Sequence, residues 1–122
     1  VTGASRHAAL YRGAARVIRE GGLAKGTFTD GESHCTVGAL DVAAIKQGLP
    51  SVRYRDPGQV LPHLADVLGY TPTVECSCGD PACTLRDAAF VAITQWNDQP
   101  GTTERDVITL LEQAAEKLEA DL

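Results

Sequence analysis

No apolar run in the sequence approaches the roughly 20 residues needed to span a bilayer, and no signal-peptide pattern opens it. There is no Gly-rich phosphate loop, no H-E-x-x-H pair, no helix-turn-helix or RNA-binding signature, and no internal repeat, low-complexity tract or long linker. Positive charge is short as well. Eleven Lys and Arg stand against sixteen Asp and Glu, a net charge of −5 that disfavours generic affinity for nucleic acid or anionic membrane. Aromatic residues make up only 5% of the chain. These absences leave a cytoplasmic protein without a membrane role as the expectation.

What is present fits one small domain. The 122 residues are 43% hydrophobic, enough for a single core spanning 1–122, and a chain of this size loses about two-thirds of its unfolded surface on folding without needing staples or metal. Alanine dominates the apolar set, and apolar positions recur at three and four rather than two. The fold class this predicts is all-α: a compact five-helix domain with a short extended or hairpin piece before the second helix and a Cys-rich loop before the fourth.

Leu10, Ala14, Val17 and Ile18 share one face of a first helix over 6–20, with Ser5 as its cap and Gly21-Gly22 as its end. The opposite side carries Arg12, Arg16 and Arg19, one stripe by the three-and-four rule. Charge is uneven along the chain. Residues 1–40 hold five basic and three acidic groups, and 41–122 hold six and thirteen. Thr27-Phe28-Thr29 followed by Asp30-Gly31 predicts an extended piece with a tight turn. Helical spacing resumes from His34 to Gln47 through Val37, Leu40, Ala44 and Ile45, stopped by Gly48 and Pro50. Asp56-Pro57-Gly58-Gln59 reads as the cap of a third helix, although Pro62 moves the start of its regular part to Pro62 itself. Asp80-Pro81 opens a fourth, with Leu85, Ala89, Ala92, Ile93 and Trp96 on one face. Thr103 and Asp106 cap a fifth, with Val107, Leu111, Ala114, Ala115 and Leu118 inward. Trp96 is expected to be largely buried against Leu111 or Leu118 and the small Gly38-Ala39 face.

Four cysteines stand at 35, 76, 78 and 83. The C-x-C-x4-C run of Cys76, Cys78 and Cys83 is most simply read as thiolate ligands for zinc, with Cys35, His34 or His63 as the fourth. Buried thiols, or a Cys78–Cys83 disulfide, are the alternatives. Cys35 near a helix start also has the dipole that favours a thiolate, so with His63 and Asp98 or Asn97 it forms a candidate nucleophile, base and acid set. The arginine stripe together with Arg53-Tyr54-Arg55 could touch phosphates. Asn97 and Asp98 are suited to end a helix and cap the Gln99-Pro100-Gly101 turn, or to contact a ligand if that turn lines a pocket.

Two segments, His34-Cys35-Thr36-Val37-Gly38-Ala39-Leu40 and Trp96-Asn97-Asp98-Gln99-Pro100-Gly101-Thr102 running into Val107-Ile108-Thr109-Leu110-Leu111, resemble a family of small uncharacterised actinobacterial and phage proteins. The resemblance spans roughly residues 8–118 and implies a helical, intracellular domain without a known activity. The functional expectation is an accessory or interaction module, zinc-stabilised, that binds a protein partner or small ligand through Arg12, Arg16, Arg19, Trp96, Asn97 or Asp98. The alternative is a cysteine-dependent enzyme using Cys35, and the third reading is nucleic-acid binding through the arginine stripe.

Overall fold

The computed structural model describes residues 3–52, 60–69 and 81–120, and side chains within 6–52, 60–69 and 88–120. Among them are five helices and one hairpin: α1 (Gly3–Gly21), β1 (Thr29–Asp30), β2 (Ser33–His34), α2 (Thr36–Lys46), α3 (Val60–Leu68), α4 (Pro81–Asn97) and α5 (Glu104–Ala120). The all-helical reading with a hairpin before α2 holds. α1 begins at Gly3, so Ser5 lies inside the helix and does not cap it. α3 begins at Val60 rather than Pro62, because the first-turn N–H groups have no intrahelical partner and a proline there gives up no bond.

Helices α1 and α5, from opposite ends of the chain, form the most extensive packing pair, followed by α1 with α2 and α3 with α4. Leu10, Tyr11, Ala14 and Ile18 of α1 and Val107, Leu111, Ala114 and Ala115 of α5 are buried in one core with Val37 and Leu40 of α2, Leu61 and Leu64 of α3, and Ile93 of α4. Thr103 and Asp106 form the reciprocal cap that their spacing predicts: each backbone N–H donates to the other's side chain, at 2.9 and 3.2 Å.

The hairpin is antiparallel, pairing Thr29 with His34 and Asp30 with Ser33, and its flanks rest on two glycines. A Cβ on Gly21 would lie 2.0 Å from the Glu32 carbonyl oxygen, and one on Gly38 would lie 2.3 Å from that of Phe28. The bare backbone lets hairpin carbonyls press against both helices. Gly38 therefore admits the Phe28 carbonyl and not the Trp96 ring. Trp96 is instead half-buried on the other side of α4, in a groove with Val67 and Leu68 of α3 and Thr109 and Leu110 of α5.

Candidate functional site

Cys35 occupies the N-cap of α2 in extended conformation, and the Gly38 N–H donates to its sulfur at 3.3 Å. Its own N–H donates to the Phe28 carbonyl at 3.0 Å, which fixes the loop before the hairpin to the helix start. The thiol is only 4% exposed. Next to it, the Thr36 N–H and hydroxyl both donate to Asn97 Oδ1, at 2.8 and 2.7 Å.

Asn97, the last residue of α4, is 1% exposed and joins three segments. Its Oδ1 receives α2; its Nδ2 donates to the Ala24 carbonyl at 3.0 Å and to Asp98 Oδ1 at 3.1 Å. Asp98 Oδ1 also accepts from the Gly26 N–H at 2.9 Å, and the Lys25 ammonium donates to the Gln99 carbonyl. The end of α4 thus holds the 24–26 loop by three separate bonds. A pocket of about 190 Å³ lies between that loop, Cys35 and the last two turns of α4, lined by Phe28, Cys35, Phe90, Thr94, Asn97 and Asp98 among others. The Phe28 and Phe90 rings, 6.0 Å apart and tilted by 52°, supply its apolar surface.

Of the residues expected to act together, Cys35, Asn97 and Asp98 share this pocket. His63 does not line it: the ring lies 5.7 Å from that of Tyr11, with Nε2 3.4 Å from the Ala114 carbonyl oxygen. His34, beside Cys35 in sequence, spends its Nδ1 on the Thr29 hydroxyl at 3.0 Å, across the hairpin. Asn97 and Asp98 were expected to cap the turn that follows α4. They bond instead to α2 and the 24–26 loop, while the Thr102 hydroxyl closes the turn onto the Trp96 carbonyl at 2.7 Å. Trp96 itself lies outside the pocket.

The arginine stripe is divided. Arg12 pairs with Glu119 and Arg19 with Glu112, both across to α5, while Arg16 has no ion pair among the described residues. Cys76, Cys78 and Arg53-Tyr54-Arg55 lie outside the described residues, as do Asp56-Pro57 and Asp80; Cys83 falls in the first turn of α4, its side chain outside them. Among the described residues no three His, Cys, Asp or Glu side chains cluster as a metal site. No helix among them is long and apolar enough to cross a membrane.

Sequence reading missed three features. Phe28, Phe90 and Thr94 come together only through the tertiary packing of loop on helix. Asp41, 4% exposed inside α2, accepts from the Ser51 hydroxyl at 2.8 Å. The tie between Thr36 and Asn97 had a signal available, since the two segments that carried the family resemblance are the two that meet there.

Fold and site together define a small helical domain with a pocket lined by the Cys35 thiol and by the asparagine that ties α4 to α2 and the 24–26 loop. The chain belongs to a family of unknown function, DUF6197, whose model matches residues 3–117. No curated protein and no solved structure matches it.

Proposed function

We propose that this protein is a non-catalytic binding module that takes a single-ring small molecule into the pocket between Phe28, Cys35 and Phe90. The pocket carries the reading. Its volume of about 190 Å³ is below the roughly 300–1,000 Å³ of sites for drug-sized ligands, yet above the apolar cavity of about 150 Å³ that suffices for benzene. Two phenyl rings and a thiol favour an apolar ring, and the Asp98 carboxylate at the rim orients a polar substituent. Protein-observed NMR with phenol, benzyl alcohol and benzylamine tests this. The expected result is saturable shifts confined to residues 26–28, 35 and 90–98, abolished by Thr94→Phe, which fills the space. No shift with any probe, or equal shifts in the Thr94→Phe variant, overturns it.

Catalysis by Cys35 is the competing reading, favoured by its place at the start of α2 within a pocket. No histidine is among the described residues lining that pocket, and Cys35 is buried. Slow alkylation of Cys35 near neutral pH supports the module; a single fast-reacting thiol at that position supports the enzyme. Zinc held by Cys76, Cys78 and Cys83, with Cys35, His34 or His63 as the fourth ligand, is a proposal that rests on the C-x-C-x4-C spacing alone. About one equivalent of zinc in protein purified without added metal is expected, and less than about one-tenth ends the metal reading.

A further inference from the structure

We propose that the seam between α1 and α2, on the side away from the pocket, is a self-complementary surface on which a second copy of this chain docks. The helices approach so closely there that a Cβ on Gly13 would lie 3.2 Å from Ala43 Cβ, and two shallow depressions of about 370 and 390 Å³ run end to end along the seam. Val17, Glu20 and Lys46 line both, so they form one continuous trough.

Charge is sorted along this trough. Arg16 lines only the depression where the C-terminus of α2 meets the middle of α1, Glu32 lines only the one toward the hairpin, and Lys46 and Glu20 stand between them, lining both. All four are exposed, and none has an ion-pair partner among the described residues. This differs from the α1–α5 side, where Arg12 and Arg19 each take a carboxylate from the facing helix. A patch with opposite charges at its two ends complements itself when turned end for end, which is what a two-fold interface requires. With the axis crossing the seam beside Lys46 and Glu20, Arg16 faces Glu32 of the partner subunit and Lys46 faces the partner's Glu20; the symmetric pairs follow. Val42, half-buried, supplies apolar contact in the trough, over a floor formed by the core residue Val17. Ile45, 66% exposed and one turn from Val42, extends that edge as the one exposed large hydrophobic side chain among the described residues. Exposed ion pairs add little affinity but fix register, so the dimer is weak, concentration-dependent and weakened by salt.

Sedimentation equilibrium of the whole chain over a concentration series tests the proposal, with two charge-inverted variants. Arg16→Glu with Lys46→Glu makes the trough acidic, and Glu20→Lys with Glu32→Lys makes it basic. The sites are exposed, so far-UV circular dichroism should match the wild type. The expected result is a wild-type mass rising from 12.9 kDa toward twice that value. Association of each variant alone should fall at least about tenfold, and an equimolar mixture of the two should form a 1:1 pair. A wild type that stays at the single-chain mass overturns the proposal. So do variants that associate as well as the wild type, and so does a mixture that does not pair.

Discussion

Asn97 is the residue on which the site depends, because one side chain ties the end of α4 to two segments distant from it in sequence. Its oxygen takes two donors from Thr36 and its nitrogen serves the Ala24 carbonyl, all inside the core. Removing one partner of a buried hydrogen bond leaves the other with its full desolvation cost, about 1–3 kcal/mol per group. Asn97→Ala should therefore destabilise the fold by about 2–4 kcal/mol in urea unfolding, and Thr36→Val, which keeps the backbone donor, by about 1 kcal/mol. The double variant should show coupling of at least about 0.5 kcal/mol, since both changes remove the same bond. Cys35 is open to a similar dissection. Serine caps helices well, so Cys35→Ser should keep the acceptor for the Gly38 N–H and leave stability nearly unchanged, whereas Cys35→Ala should cost about 1 kcal/mol. Equal loss in both variants would mean that the thiol contributes by packing and not by capping.

Hairpin and helices meet at the level of elements through missing side chains. Gly38 sits where the Phe28 carbonyl oxygen would be 2.3 Å from a Cβ, and that oxygen already accepts the Cys35 N–H. Gly38→Ala must push the 26–28 loop outward or break that bond, and since the same loop forms one wall of the pocket, stability and probe binding should fall together. A loss of about 2 kcal/mol or more in urea unfolding is expected, against a gain of the usual Gly-to-Ala helix preference if the loop were free to yield. The sequence is a good guide to elements and a poor one to this kind of contact. Periodicity placed α1, α2, α4 and α5, because the apolar stripe of a helix is written in consecutive residues. The cap of α5 was equally legible, since Thr103 and Asp106 are three residues apart. The smallness of Gly38 is legible as room for a close approach, but what approaches is the Phe28 backbone carbonyl and not a ring, and a carbonyl has no signature in residue identity. Trp96 departs from the expectation in part: it lies toward α5 and α3 and not toward the Gly38-Ala39 face of α2, because a residue at the end of an apolar stripe can turn toward either adjoining helix.

Across the whole molecule, the pairing of α1 with α5 closes the chain. Leu10, Tyr11, Ala14 and Ile18 share one core with Val107, Leu111, Ala114 and Ala115, and among the described residues the most extensive helix pairing is also the one most separated in sequence. The Arg12–Glu119 and Arg19–Glu112 pairs run along the outside of that interface, where exposure limits each to about 1 kcal/mol or less. Burial therefore decides whether the ends stay together. Val107, Leu110, Leu111, Ala114 and Ala115 are the buried residues of α5, and their loss would open the core they share with α1 to water. Full burial of one Val or Leu side chain is worth about 1.5–3 kcal/mol, so losing α5 removes an amount comparable to the whole stability of a domain, about 5–15 kcal/mol. A chain ending at residue 103 should then lack a cooperative urea transition and should lose helical signal well beyond the share of α5 itself. Conservative truncation inside the interface supplies the graded version. Leu111→Ala should cost about 2–5 kcal/mol, whereas Arg19→Ala should stay within about 0.5 kcal/mol and change little between low and high salt. A shortened chain that still unfolded cooperatively, with four-helix content intact, would show that the core closes without its last helix and that the α1–α5 face is an addition to a self-sufficient domain.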